Sequence, residues 1–76
     1  MQQPRLIIKE DWSFALYKRD DQYILSVVCG GAGPYDLAIP ISENDARQLQ
    51  RLRELAREIR NHPSRYAAIS VAVTLH

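Results

Sequence analysis

The stretch Tyr23-Ile24-Leu25-Ser26-Val27-Val28-Cys29 carries no charge. Tyr23, Leu25, Val27 and Cys29 alternate with Ile24, Ser26 and Val28, the two-residue period of a β-strand. Gly30-Gly31-Ala32-Gly33-Pro34 follows it as the strongest punctuation in the chain, because glycine permits positive φ and proline cannot donate to a ladder. Working outward, Trp12-Ser13-Phe14-Ala15-Leu16-Tyr17-Lys18 shows the same alternation. The polar turn Arg19-Asp20-Asp21-Gln22 joins the two runs at hairpin length.

On the other side, Tyr35, Leu37, Ile39 and Ile41 share one face of a third strand. Pro40 marks that strand as an edge or a bulge. Arg5–Lys9, with Leu6, Ile7 and Ile8, reads as a short opening strand, and Glu10-Asp11 ends it. Ile69, Val71, Val73 and Leu75 alternate with Ser70, Ala72 and Thr74, predicting a last strand over residues 67–75. From Trp12 onward these strands contain only two charges, Lys18 and Asp36. A sheet with one wet face usually alternates apolar and charged residues, so the second face here is small and neutral.

Ser42 is a good N-cap, with Glu43 and Asp45 in the first turn where a helix favours anions. Ala46, Leu49, Leu52, Leu55, Ala56 and Ile59 recur at helical spacing, and Asn61 and Pro63 supply the stop. The expected helix is one piece over residues 43–60. The chain therefore predicts a single α+β domain over residues 1–76. Its antiparallel sheet has three to five strands, one helix packs across one face, and the order is β-β-β-α-β. Trp12, Phe14, Leu16, Tyr23, Leu25, Leu37 and Ile39 form the wide face that takes the helix stripe.

With 76 residues, a domain is near the lower limit for folding alone. Cys29 is the only cysteine, so no internal disulfide staples it, which fits a reducing, cytoplasmic setting. His62 and His76 lie far from Cys29 in sequence, and no metal or other cofactor is expected. Ten basic against nine acidic groups give a net charge of +1, which argues against a strong phosphate-binding surface. No apolar run reaches membrane-span length, and the first residues lack the layout of a secretory leader.

Each motif with a chemical reading has a structural one that outweighs it. The glycine loop leads into a strand, without the lysine or helix N-terminus of a phosphate cradle. Cys29 continues the core face of its strand and has no base beside it in sequence. The helix arginines are interrupted by Glu54 and Glu58, as on a solvated, salt-bridged face. Arg57, Arg60 and Arg65 could still gather into a basic patch near the helix end. The aromatics supply the core of a small domain more readily than a stacking platform.

The run Trp12–Tyr17, then Tyr23–Gly30, Tyr35-Asp36 and His62-Pro63-Ser64-Arg65-Tyr66 resembles an uncharacterised group of small bacterial proteins. The resemblance spans residues 12–66 and implies no activity, only core aromatics, a glycine turn and a helix stop.

The reading that results is a non-enzymatic protein-binding module, expected to form a homodimer. One concrete role is an inhibitor or immunity-type protein acting on a toxin, nuclease or defence complex. The alternative is nucleic-acid binding through the arginine-rich helix. The neutral second face comprises Ser13, Ala15, Tyr17, Ile24, Ser26, Val28 and Ala38, joined by Ser70, Ala72 and Thr74 if the last strand enters the sheet. The candidate interface is Tyr17, Ile24 and Val28 together with Ile69, Val71 and Val73 of that strand.

Overall fold

Arg19 and Gln22 close a two-residue turn in which Asp20 takes φ 56°. Aspartate tolerates a positive φ better than most residues. The hairpin it makes is the centre of a computed structural model that describes residues 4–11, 13–30, 33 and 35–71. Four antiparallel strands lie in sequence order: β1 (Arg5–Glu10), β2 (Phe14–Arg19), β3 (Gln22–Cys29) and β4 (Tyr35–Ile41). Gly30, at φ +80°, begins the β3–β4 connection. A Cβ there would sit 2.9 Å from the Gly33 carbonyl oxygen, so both its conformation and its space require glycine.

The register sorts the side chains into rows. Ile8, Leu16, Leu25 and Ile39 lie side by side across the four strands, next to the row Glu10, Phe14, Val27 and Leu37. On the opposite face run Leu6, Tyr17, Ile24 and Pro40, and beside them Lys9, Ala15, Ser26 and Ala38. Between Leu6 and Ile8 the pairing of β1 with β2 slips at Ile7, a β-bulge.

Three helices follow: α1 (Glu43–Ala46), α2 (Leu49–Asn61) and α3 (Pro63–Ala67). Ser42 caps α1, its hydroxyl accepting from the Asp45 N–H at 3.2 Å. The single helix expected over residues 43–60 is broken at Gln48, whose backbone is extended at φ −117° and ψ 108°. Its N–H bonds to the Asp45 carbonyl, three residues back, so the first piece tightens and stops. The break rotates Leu49 out of the apolar stripe, and it is exposed. Leu52, Ala56 and Ile59 of α2 pack into one buried cluster with Phe14, Leu16, Leu25, Val27, Cys29, Leu37 and Ile39. The wide face thus receives the helix stripe; its expected first member, Trp12, lies outside the described residues.

The expectation of a last strand over residues 67–75 is corrected at its start. Pro63 at the first helical position has its φ preset and needs no N–H partner, so the chain re-enters a helix and α3 runs through Ala67. Turn residues follow, and only then does the backbone reach the sheet: the Val71 N–H donates to the Ala38 carbonyl at 2.7 Å. The Ser70 hydroxyl accepts from the Ala38 N–H at 3.1 Å. Residues 72–76, including Val73 and the rest of the expected strand, lie outside the described residues. The order of the described elements is therefore β-β-β-β-α-α-α, with the short opening strand a full member of the sheet.

Candidate protein-interaction surface

Two kinds of surface stay uncovered by the described helices: the second face of the sheet and its edges. On the second face, Tyr17 and Ile24 are direct cross-strand neighbours, whereas Val28 stands further along β3, opposite Asp36. Tyr17 and Val28 are half-buried, but Ile24 is 0 % exposed within a single chain. Of the candidate interface residues, Ile24 is therefore a core residue, unable to touch a partner without the fold opening. Ser26 and Ala38 are also buried. Ile69 is 53 % exposed and Val71 half-buried beside β4. Val73 lies outside the described residues.

The helix arginines are mostly engaged with the protein's own groups. Arg47 pairs with Glu43 at 2.8 Å, Arg51 with Asp45 at 3.2 Å and Arg53 with Glu10 at 2.8 Å. Arg65, of the candidate basic patch, donates to Glu58 at 3.3 Å. Arg60 works as a clamp: Nη2 donates to the Ser13 hydroxyl at 2.9 Å and carbonyl at 3.3 Å, and Nε to the Val28 carbonyl at 3.3 Å. These bonds tie the end of α2 to the β2–β3 end of the sheet. Arg57 alone in the patch has no ion pair or clamp among the described residues. Of the three, only Arg65 faces an acid among the described residues; Arg60 is held in place by neutral oxygens and, like Arg57, keeps its charge.

A shallow depression of about 270 Å³ lies on the second face, bordered by Lys9, Ala15, Tyr17, Ser26, Val28 and Asp36. It is smaller than most small-molecule sites. Among the described residues, no buried side-chain nitrogen or oxygen lacks a partner. Nor does any group of three or more His, Cys, Asp or Glu side chains there come close enough to hold a metal ion. No helix among the described residues is long and apolar enough to cross a membrane.

Cys29 is fully buried, and its thiol donates to the Val27 carbonyl at 3.6 Å. Burial pushes its pKa above the ordinary value, against a pull downward from Arg60 and with a smaller push from Asp36. A neutral thiol is a poor nucleophile. Iodoacetamide at pH 8 should label Cys29 at least about tenfold more slowly in the native protein than in the urea-unfolded chain. The native thiol keeps its proton at pH values where the unfolded one, near 9.0, has lost it. This contribution to stability is complete below about pH 9 and declines as pH rises towards the native pKa. Equal labelling rates would show the thiol to be accessible and ionised in the native fold.

β1 was not among the expected interaction elements. Leu6 and Ile7 are consecutive on this edge strand, at 50 % and 45 % exposure. The signal was present in Arg5-Leu6-Ile7-Ile8-Lys9-Glu10, an apolar centre flanked by Arg5 and Lys9, with Glu10 beyond. What the sequence does not mark is that this strand lies at the rim of the sheet.

No family model, curated protein or solved structure matches this chain.

Proposed function

We propose that this protein is a small non-enzymatic module that acts by binding other protein chains. Its working surfaces are the edge strand β1, Tyr17 and Val28 on the second face, and Ile69 and Val71 beside β4. The observation that carries this reading is the pair Leu6 and Ile7, adjacent, about half exposed and on a sheet edge that no strand pairs among the described residues. A strand edge offers backbone donors and acceptors to any extended chain, and the flanking side chains select which one binds. An inhibitor or immunity-type role, in which the module blocks a toxin, nuclease or defence complex in the cytoplasm, is the form of this reading that suits so small a domain. The arginines favour it over nucleic acid, since most of them are spent on the protein's own acids and carbonyls.

A photoreactive amino acid placed at Leu6 or Ile69 and irradiated in the source cell tests the proposal. The expected result is a discrete protein adduct, and an adduct from Leu6 should be lost when Ile7→Lys is added at the edge. A folded protein that gives no protein adduct from either position would sink the reading.

A further inference from the structure

We propose that two copies of this chain pair through β1, antiparallel about a two-fold axis at the Ile7 bulge, with Arg5 of each copy meeting Glu10 of the other. The proposal rests on the protein-binding reading and names its first partner. It starts from the edges of the sheet. On β4, the Ala38 N–H and carbonyl are both taken, by Ser70 and Val71 of the same chain. On the outer side of β1 no strand lies alongside among the described residues. Pairing through β1 alone lets two copies close on each other without growing further.

The register follows from the bulge. Six residues of β1 face five of β2, Phe14 to Lys18, because Ile7 is the extra one. For pairing, β1 is therefore five positions long: Arg5, Leu6, the Ile7-Ile8 bulge, Lys9 and Glu10. The bulge also places Arg5 and Glu10 on the same face of the sheet, alongside Lys18 and Phe14. A two-fold axis through the central position overlaps all five and sets Arg5 against Glu10 twice. It also lays Leu6 against the aliphatic stem of Lys9. Moving the axis to Lys9 would oppose two lysines, and moving it to Leu6 would bring Pro4, which has no N–H, into the ladder.

The charges at the two ends of β1 suit this pairing. Arg5 stands opposite Lys18 within its own sheet and has no ion pair among the described residues. Glu10 is held in place by Arg53, with Nη2 and Nε at 2.8 and 3.1 Å from Oε2. A carboxylate accepts about four hydrogen bonds, so Glu10 has room for a second guanidinium. Pro4 and the bulge are features that blunt an edge against indiscriminate pairing. Here they confine pairing to one register.

Sedimentation equilibrium with charge variants reads the pairing directly. The interface is small, so the wild type should dimerise with a dissociation constant of roughly 1–100 μM. Arg5→Glu and Glu10→Arg should each raise it at least about tenfold, because each places like charges opposite one another. Mixed in equal amounts, the two variants should recover dimerisation, since both strand ends are then acidic in one copy and basic in the other. In the wild type, amide exchange over residues 6–9 should also slow as concentration rises, a readout independent of how well the variants fold. A wild type that stays monomeric to about 1 mM, exchange there unaffected by concentration, or a dimer indifferent to both substitutions would overturn the proposal. A monomer that still forms a cross-link to a foreign protein from Leu6 would refute self-pairing and leave the protein-binding reading standing.

Discussion

Phe14→Ala is expected to destabilise the protein by about 3–5 kcal/mol. Phe14 is 2 % exposed, begins β2, and belongs to the cluster that joins the sheet to Leu52, Ala56 and Ile59 of α2. Removing its ring leaves a cavity under the helix. Neighbours can fill little of it, because Val27 and Leu37 beside it are fixed in a paired ladder. A domain of this length has a total stability of about 4–11 kcal/mol, so the loss is a large share of the whole. Urea titration followed by far-ultraviolet circular dichroism measures it. Phe14→Leu, which keeps much of the volume, should cost clearly less. A loss below about 1 kcal/mol for the alanine variant would mean that α2 does not depend on this contact.

The sheet was legible because its strands obey a two-residue period and its turns carry the residues that turns require. Tyr35–Ile41 is a strand as read, and Asp20-Asp21 and Gly30 are the turn residues that the hairpin and the β3–β4 connection need. The break in the helix was not legible. Ala46, Leu49 and Leu52 fit one continuous stripe, whereas in the structure Gln48 is extended, Leu52 is buried against the sheet and Leu49 is turned outward. The stretch after Pro63 misled for a related reason. Alternation in Ile69–Leu75 looks like a strand, but alternation is blind to the helical turn that precedes it, and α3 takes the first residue. The neutral second face was legible in composition and not in its exposure. A neutral second face can be read from Ala15, Ser26 and Ala38, yet the sequence cannot say that Ile24 on the same face is sealed, or that β1 is an edge.

Ile24→Ala should cost about 2–4 kcal/mol and Ile24→Lys more than about 3 kcal/mol, the latter by leaving an unpaired charge in an apolar setting. Ile24 faces away from the described helices, in the row Leu6, Tyr17, Ile24 and Pro40, yet it is 0 % exposed in a single chain. That observation separates two explanations for a neutral sheet face. If a second copy supplied the cover, the cost of Ile24→Ala would grow with protein concentration, because only the dimer would bury the side chain. If the chain covers Ile24 itself, unfolding at about 1 μM and about 100 μM should report the same loss. The single-chain burial favours the second outcome. Leu6, in the same row but half exposed, gives the contrast: Leu6→Ala should change the stability of the monomer by no more than about 0.5 kcal/mol. Two members of one cross-strand row then have different roles. Ile24 holds the monomer together, and Leu6 is left at the rim, where contact with another chain can bury it.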